Sequence, residues 1–208
     1  MGGDAGTSLP GSITIGPSAV VQGDTTSTAD PVMLDLISDA EYDWAESVNR
    51  APGGLSGSGF TYNPSTGALS VKQNGIVTMG EGVYFFKTVS IKQNAQLTIV
   101  PNETVNMYVT ASFTLQQNAT ANLNGSPANL ILYLKGTGFS MFQDSKFYGA
   151  LYAPEVTFKG RQDMGMYGSV VARSATLHQD ACFHFDRSLI QFRRSGFDDV
   201  EVVAWRDR

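Results

Sequence analysis

Three aspartates stand at one position of a repeated heptapeptide in the C-terminal half of the chain: Asp144, Asp163 and Asp180. If the repeats stack as coils about 4.8 Å apart, these carboxylates form a column and repel one another unless something pairs with them. Two chemistries suit such a corner: a Ca²⁺ ion held by carboxylate oxygens, or an acid/base pair acting on a glycan. The simpler account is a solvated corner neutralised by Lys146, Lys159, Arg161 and His178, and the density of nearby cations favours it. Ca²⁺ is the one cofactor this pattern suggests.

A second set is Cys182, His184 and Asp186, two residues apart and therefore on one face of a strand. Thiolate, imidazole and carboxylate together are the parts of a nucleophilic site. Neighbours on one strand point in parallel, however, and do not converge on a substrate atom. The expected role of His184 and Asp186 is to tie the last coil to the C-terminal segment, with Phe183 and Phe185 filling the core behind them. A third set, Lys72, Lys92, Arg161 and His178, could meet an acidic polysaccharide; the favoured reading is a solvated edge that discourages strand addition. Tyr148, Tyr152 and Tyr167 could stack on sugars, and Tyr152, next to Leu151 in an alternating strand, is expected to face outward. The candidate ligand surface is thus Lys159, Arg161, His178 and Tyr152. No phosphate loop, zinc spacing or Gly-x-Ser-x-Gly elbow occurs, and two histidines leave most hydrolase schemes without their parts. A non-enzymatic protein is expected.

The elements that position these residues follow from the repeat. Leu69–Gly75 and Val89–Ala95 are nearly the same heptapeptide, with Phe113–Ala119, Phe139–Ser145 and Ala175–Ala181 as further copies. Another begins at Val156-Thr157-Phe158 and reaches Gln162-Asp163 after a two-residue insertion, Lys159-Gly160. The shared order is apolar, hydroxyl, apolar, variable, Gln, Asn or Asp, small. Period-two alternation on both sides of a polar kink means two strands meeting at a corner. The Gln residues fall 20, 24, 26, 19 and 17 positions apart, which suits solenoid coils and is too irregular for a propeller. Stacking would build a hydroxyl column (Ser70, Ser90, Thr114, Ser140, Thr157, Thr176), an amide ladder (Asn74, Asn94, Asn118) and a small-residue column (Gly75, Ala95, Ala119, Ser145, Ala181).

The expected fold is therefore all-β: a short right-handed parallel β-helix of about six to seven coils with one N-terminal capping α-helix. All of 1–208 reads as a single domain, with a first coil at 11–22, the capping helix at 30–50, repeat coils at 65–190 and a C-terminal cap or strand at 191–208. Asp30 suits the helix N-cap and Pro31 its first position, with Met33, Ile37, Ala40, Trp44 and Val48 on the buried face. Segments 1–10 and 53–67 read as loops, and Val200–Trp205 as a final strand.

Composition agrees. Charged residues are 16%, against roughly 25% in an ordinary soluble domain, while 22 glycines supply tight turns. A net charge of −5 argues against binding nucleic acid. One cysteine excludes an internal disulfide. The start Met1-Gly2-Gly3-Asp4 is not a signal peptide, and fits a boundary from which an anchoring segment has been removed.

Three strings carry a resemblance. Gly149-Ala150-Leu151-Tyr152-Ala153-Pro154 is similar to a G-A-[VIL]-Y-A-P signature, and Gly168-Ser169-Val170-Val171-Ala172 is its counterpart one coil later. Phe183-His184-Phe185-Asp186-Arg187-Ser188-Leu189 resembles an H-[YF]-D-x-x-L closing motif. Together, over roughly 65–190 and at Trp205-Arg206, they resemble a bacterial β-helix domain of unknown function found in pilus-assembly (PilX-type) and other envelope proteins. Bactofilin-type filament formers are more distantly similar. The resemblance implies a surface-exposed or secreted envelope protein, attached to the membrane only through an anchor segment missing from this chain. Its implied partners are other envelope or pilus proteins or surface polysaccharide, and it brings no catalytic residues. The expected function is a structural or adhesion module. The alternative is a glycan-binding or polysaccharide-cleaving solenoid using the Asp corner, and end-to-end polymerisation is a third possibility.

Overall fold

Each heptapeptide ends one strand, turns a corner at its Asn or Asp, and starts the next strand, so the alternation of the sequence becomes a coil. The computed structural model describes residues 36–123, 125–186 and 189, with the short pieces 5–6, 14–15 and 25–26. Along the chain come strands β1 (Ala5–Gly6), β2 (Thr14–Ile15) and β3 (Thr25–Thr26), then helices α1 (Asp39–Ser47) and α2 (Ala51–Gly54). Strands β4 (Leu55–Asn63), β5 (Ala68–Met79), β6 (Gly82–Ile91), β7 (Gln96–Ile99), β8 (Val105–Leu115) and β9 (Thr120–Ala121) follow. After a 3₁₀ turn at Pro127–Asn129 come β10 (Leu130–Leu134), β11 (Gly138–Met141), β12 (Lys146–Gly160), β13 (Gly165–Leu177) and β14 (Cys182–Phe185).

From β5 onward the pairing is parallel and the chain winds about six turns of a β-solenoid. Three faces result. The first, just after the Asn/Asp corner, stacks 76–79, 96–99, 120–121, 146–149, 165–168 and 182–185. The second stacks 82–86, 105–109, 130–134, 150–153 and 169–172. The third, leading into the corner, stacks 68–71, 88–91, 112–115, 138–141, 158–160 and 175–177.

Inward side chains form columns of one residue type because each coil sits directly on the last. Phe113, Phe139 and Phe158 stack at 5.3 and 5.4 Å on the third face. Phe147 meets Phe139 edge-on from the first face at 5.3 Å. All four are buried, and each contributes about 2–3 kcal/mol of apolar burial. The small column is buried throughout, from Gly75 to Ala181.

Register corrects the fifth repeat. Lys159, not Thr157, pairs with both Ser140 and Thr176, so Lys159 interrupts the hydroxyl column. Thr157 instead pairs with Ser174, their hydroxyls 3.0 Å apart. No insertion exists there; Phe158–Met164 is a full heptapeptide in which Gly160 takes the second apolar position. Its missing side chain is compensated by Met164, which replaces the small residue of other coils and lies with Leu177 where a Gly160 Cβ would stand. The length difference sits at the preceding bend, where 154–156 in β12 face Arg173 alone in β13.

The helix also differs from expectation. Ser38, not Asp30, is the N-cap and accepts from the Glu41 amide. The buried residues are Glu41, Tyr42 and Ala45, while Trp44 and Val48 are 48% and 42% exposed. The helix does not cover an end of the solenoid. It lies along the second face, with Tyr42 and Ala45 against Phe85, Tyr108, Ile131 and Tyr133 from successive coils. The first coil is covered instead by β4, which was expected to be loop. It runs antiparallel along β5, from Leu55 opposite Met79 to Asn63 opposite Ala68. Of the expected first coil at 11–22, Thr14-Ile15 pair with Thr176-Leu177 at the far end, and the rest lies outside the described residues. Asp30, Pro31, Met33 and the expected strand Val200–Trp205 lie outside the described residues.

Candidate functional site

The corner is built first by the backbone. Asn74, Asn94, Asn118, Asp144, Asp163 and Asp180 all have φ between 55° and 59°. An L-residue there costs about 1–2 kcal/mol unless it is Gly, Asn or Asp. One residue later the chain closes a tight turn, as in Ala95 N–H to Lys92 C=O (3.0 Å) and Ala181 N–H to His178 C=O (3.2 Å). Each corner amide donates to the Gln carbonyl of the next coil, from Asn74 to Gln93 (3.1 Å) through Asp163 to Gln179 (3.1 Å).

Side chains extend this ladder only where they can both donate and accept. Asn94 Nδ2 donates to Asn74 Oδ1 and Asn118 Nδ2 to Asn94 Oδ1, both at 3.1 Å. Gln93 Nε2 donates to Gln117 Oε1 at 3.3 Å. Asp144, Asp163 and Asp180 continue the backbone column but carry no donor, so the amide ladder stops at Asn118. Asp144 is half-buried, and Asp163 and Asp180 are exposed. Among the described residues, no ion pair holds any of the three, and no group of three or more His, Cys, Asp or Glu is placed to hold a metal ion. Asp at these corners is explained by its tolerance of the left-handed conformation.

The four expected ligand-surface residues do not share one surface. Lys159 and His178 are exposed on the third face and at its corner. The Arg161 guanidinium lies over the Phe142 ring of the coil below, 4.6 Å from its centre. Tyr152 does face outward, but on the second face, where it joins the Tyr133 and Tyr108 rings partly beneath α1.

What the structure brings together is a different set. Tyr148, Tyr167 and His184 stand in register on the outer side of the first face. Their rings stack at 4.3 Å and 7°, then 4.6 Å and 4°. Burial pushes the Tyr148 phenol above its ordinary range, and the Tyr167 phenol beside it adds to the shift. Gly165 leaves room for the Tyr167 ring, which occupies the space a Cβ would need. Opposite, Gly125 and Pro127 belong to the long connection between β9 and β10; with the ladder and Asp186 they bound an open groove of about 420 Å³. This ladder was missed because His184 was grouped with Cys182 and Asp186 along its own strand. The signal was present: Tyr148, Tyr167 and His184 each follow their corner Asp by four residues. Cys182 is exposed, its thiol turned to the Asp180 carbonyl at 3.6 Å.

Residues 16–192 match the family described as Domain of unknown function (DUF7305). Comparison with curated proteins and with solved structures finds no match.

Proposed function

The chain belongs to the DUF7305 family, a domain of unknown function, and on that footing we propose that it is a non-enzymatic module of the bacterial cell envelope, surface-exposed or secreted. It acts as a rigid spacer and interaction surface for other envelope or pilus proteins. The observation that carries this reading is the unbroken stack. Three parallel ladders and a filled core tie the coils to their neighbours along about 30 Å, taking six coils at the sheet spacing, and an amide ladder joins the first three. Such a rod holds its ends at fixed separation, and it offers lateral faces. The resemblance of 149–154, 168–172 and 183–189 to the PilX-type β-helix supports looking for those partners in the envelope.

The test is fractionation and crosslinking in the native cell. The gene product, photo-crosslinked from exposed positions such as Lys72 and Lys159, should sit in the envelope fraction and capture an envelope or pilus protein. Recovery from the cytosol alone, with no envelope crosslink, sinks the proposal.

A further inference from the structure

Backbone hydrogen bonds of 2.9 Å set Lys72, Lys92, Gln116, Phe142, Arg161 and His178 in one column on the outer side of the third face. The amides of Lys92, Gln116 and Phe142 donate to the carbonyls of Val71, Ile91 and Leu115, and those of Arg161 and His178 to Met141 and Gly160. Lys159 stands in the neighbouring column, in register with Ser140 and Thr176. Lys72, Lys159, Arg161 and His178 are exposed, and Lys92 is half-buried. Among the described residues no carboxylate pairs with any of them; the described ion pair joins Lys135 and Asp39 at the helix rim. No Asp or Glu occurs in 68–72, 88–92, 112–116, 138–142, 158–161 or 175–178, although the chain as a whole has a net charge of −5. These cations do not guard an edge. Lys92, Lys159 and Arg161 lie in or directly after β6 and β12, which are paired on both sides, so no further strand could join there. Beside the column run Ser70, Ser90, Thr114 and Ser140, in register and half-buried, and no described group bonds to their hydroxyls.

We propose that this stripe binds an acidic polysaccharide, a polyuronate chain laid along the solenoid axis, with Lys72 and Lys92 holding carboxylates at one end and Lys159 and Arg161 at the other. Charge complementarity selects an anion. The hydroxyl column selects the class of anion: each sugar of a polyuronate brings one carboxylate for the cations and a rim of hydroxyls for the Ser and Thr side chains. Charge spacing agrees. Duplex DNA offers one charge per about 1.7 Å, whereas Gln116 and Phe142 separate the two cation groups, Lys92 and Arg161 being three coil steps or about 14 Å apart. The column holds one aromatic ring, Phe142, with the Arg161 guanidinium over it, so there is no run of rings on which bases could stack. The surface goes beyond the spacer reading and does not depend on it. It also keeps any glycan on the cation side of the corner, away from a site built on Asp144, Asp163 and Asp180.

The test is titration calorimetry of the whole chain, in calcium-free buffer of low ionic strength, against hexamers of mannuronate and galacturonate. Their dimers, cellohexaose and hexaglutamate serve as comparisons. At least one uronate hexamer should bind saturably, and about tenfold more weakly in about 1 M salt, where the screening length falls to about 3 Å. The matching dimer reaches one cation group and not both, and should bind about tenfold more weakly than the hexamer. The pairs Lys72→Gln/Lys92→Gln and Lys159→Gln/Arg161→Gln should each weaken the hexamer about fivefold, the effect of losing two exposed charge contacts. Should the Arg161 variant melt early, Lys159→Gln alone should still weaken binding about twofold. Asp163→Asn removes a negative charge two residues from Arg161 and should not weaken it. The proposal is overturned by no saturable binding of either uronate hexamer, by equal affinity for hexaglutamate or cellohexaose, by affinity that both double variants leave intact, or by its loss on Asp163→Asn.

Discussion

A single residue type at the corner does two jobs, and substitutions separate them. Asn94 holds φ at 56° and bridges its neighbours through two amide bonds. Asn94→Ala should cost about 2 kcal/mol in urea unfolding, combining the left-handed penalty with two exposed hydrogen bonds. Asn94→Gly keeps the conformation and should cost about half as much; equal losses would mean that the conformation is not what selects Asn. The change from Asn to Asp in the later coils was legible in the sequence and suggested a ligand. The backbone is the same at all six corners and admits either residue, so Asp can stand there without one. Millimolar Ca²⁺ should accordingly leave the thermal midpoint unmoved, since a bound ion would raise it by mass action. Tyr84 is buried, and its hydroxyl lies 2.9 Å from both the Gly54 and Gly80 carbonyls. Burial, the largest influence, raises its pKa above the ordinary 10.0. Above pH 10 the unfolded chain releases this proton before the folded one does, so stability is full below pH 10 and falls as pH climbs toward the raised value. Melts of Tyr84→Phe should start about 1 kcal/mol lower at pH 8 and show a flatter alkaline limb. A parallel limb would clear Tyr84 of any part in it.

Among the elements, α1 depends most on tertiary contacts. Nine residues are too few for a stable helix in water, so its order comes from the second face. Tyr42 meets Tyr108 edge-on at 5.6 Å, and Tyr108 Oη donates to the buried Glu41 at 3.0 Å. Lys135 and Asp39 pair at the exposed rim. Tyr42→Ala removes the largest of these contacts, worth about 3 kcal/mol where an aromatic is deleted from a packed site. Hydrogen exchange should then lose protection over 39–47 while 105–109 and 130–134 keep theirs. Simultaneous loss in both would show that the helix is part of the cooperative core. The Ser38-x-x-Glu41 spacing that starts this helix was present in the sequence, but Asp30-Pro31 offered an equally good start and a longer helix. Strand β4 was hidden for another reason. Its glycines lower strand propensity and break the alternation, and only pairing with β5 makes it extended. The repeat coils, whose signal recurs at every turn, were readable without that help.

For the whole molecule, the ends decide whether a stacking fold stops. The described strands show the two ends handled differently: Thr14-Ile15 pair with the last third-face strand, and β4 lies along the first and third faces of the first coil. No helix among the described residues is long and apolar enough to cross a membrane. β4 is a poor template for a further strand, being rich in Gly and Ser and bulged between Ser58 and Phe60. Gly57 makes the cover possible. It has φ +114°, and a Cβ there would collide with the Ile76 carbonyl oxygen, part of the β5 backbone that cannot yield. Gly57→Val should therefore lift β4 from β5 and bare the edge at 76–79, beside an already exposed Ile76. The native chain should scatter light as a monomer at high concentration, whereas the variant should melt lower and form dimers or longer stacks through that edge. A variant that melts lower yet stays monomeric would mean that β4 stabilises the first coil without being what stops the solenoid from stacking.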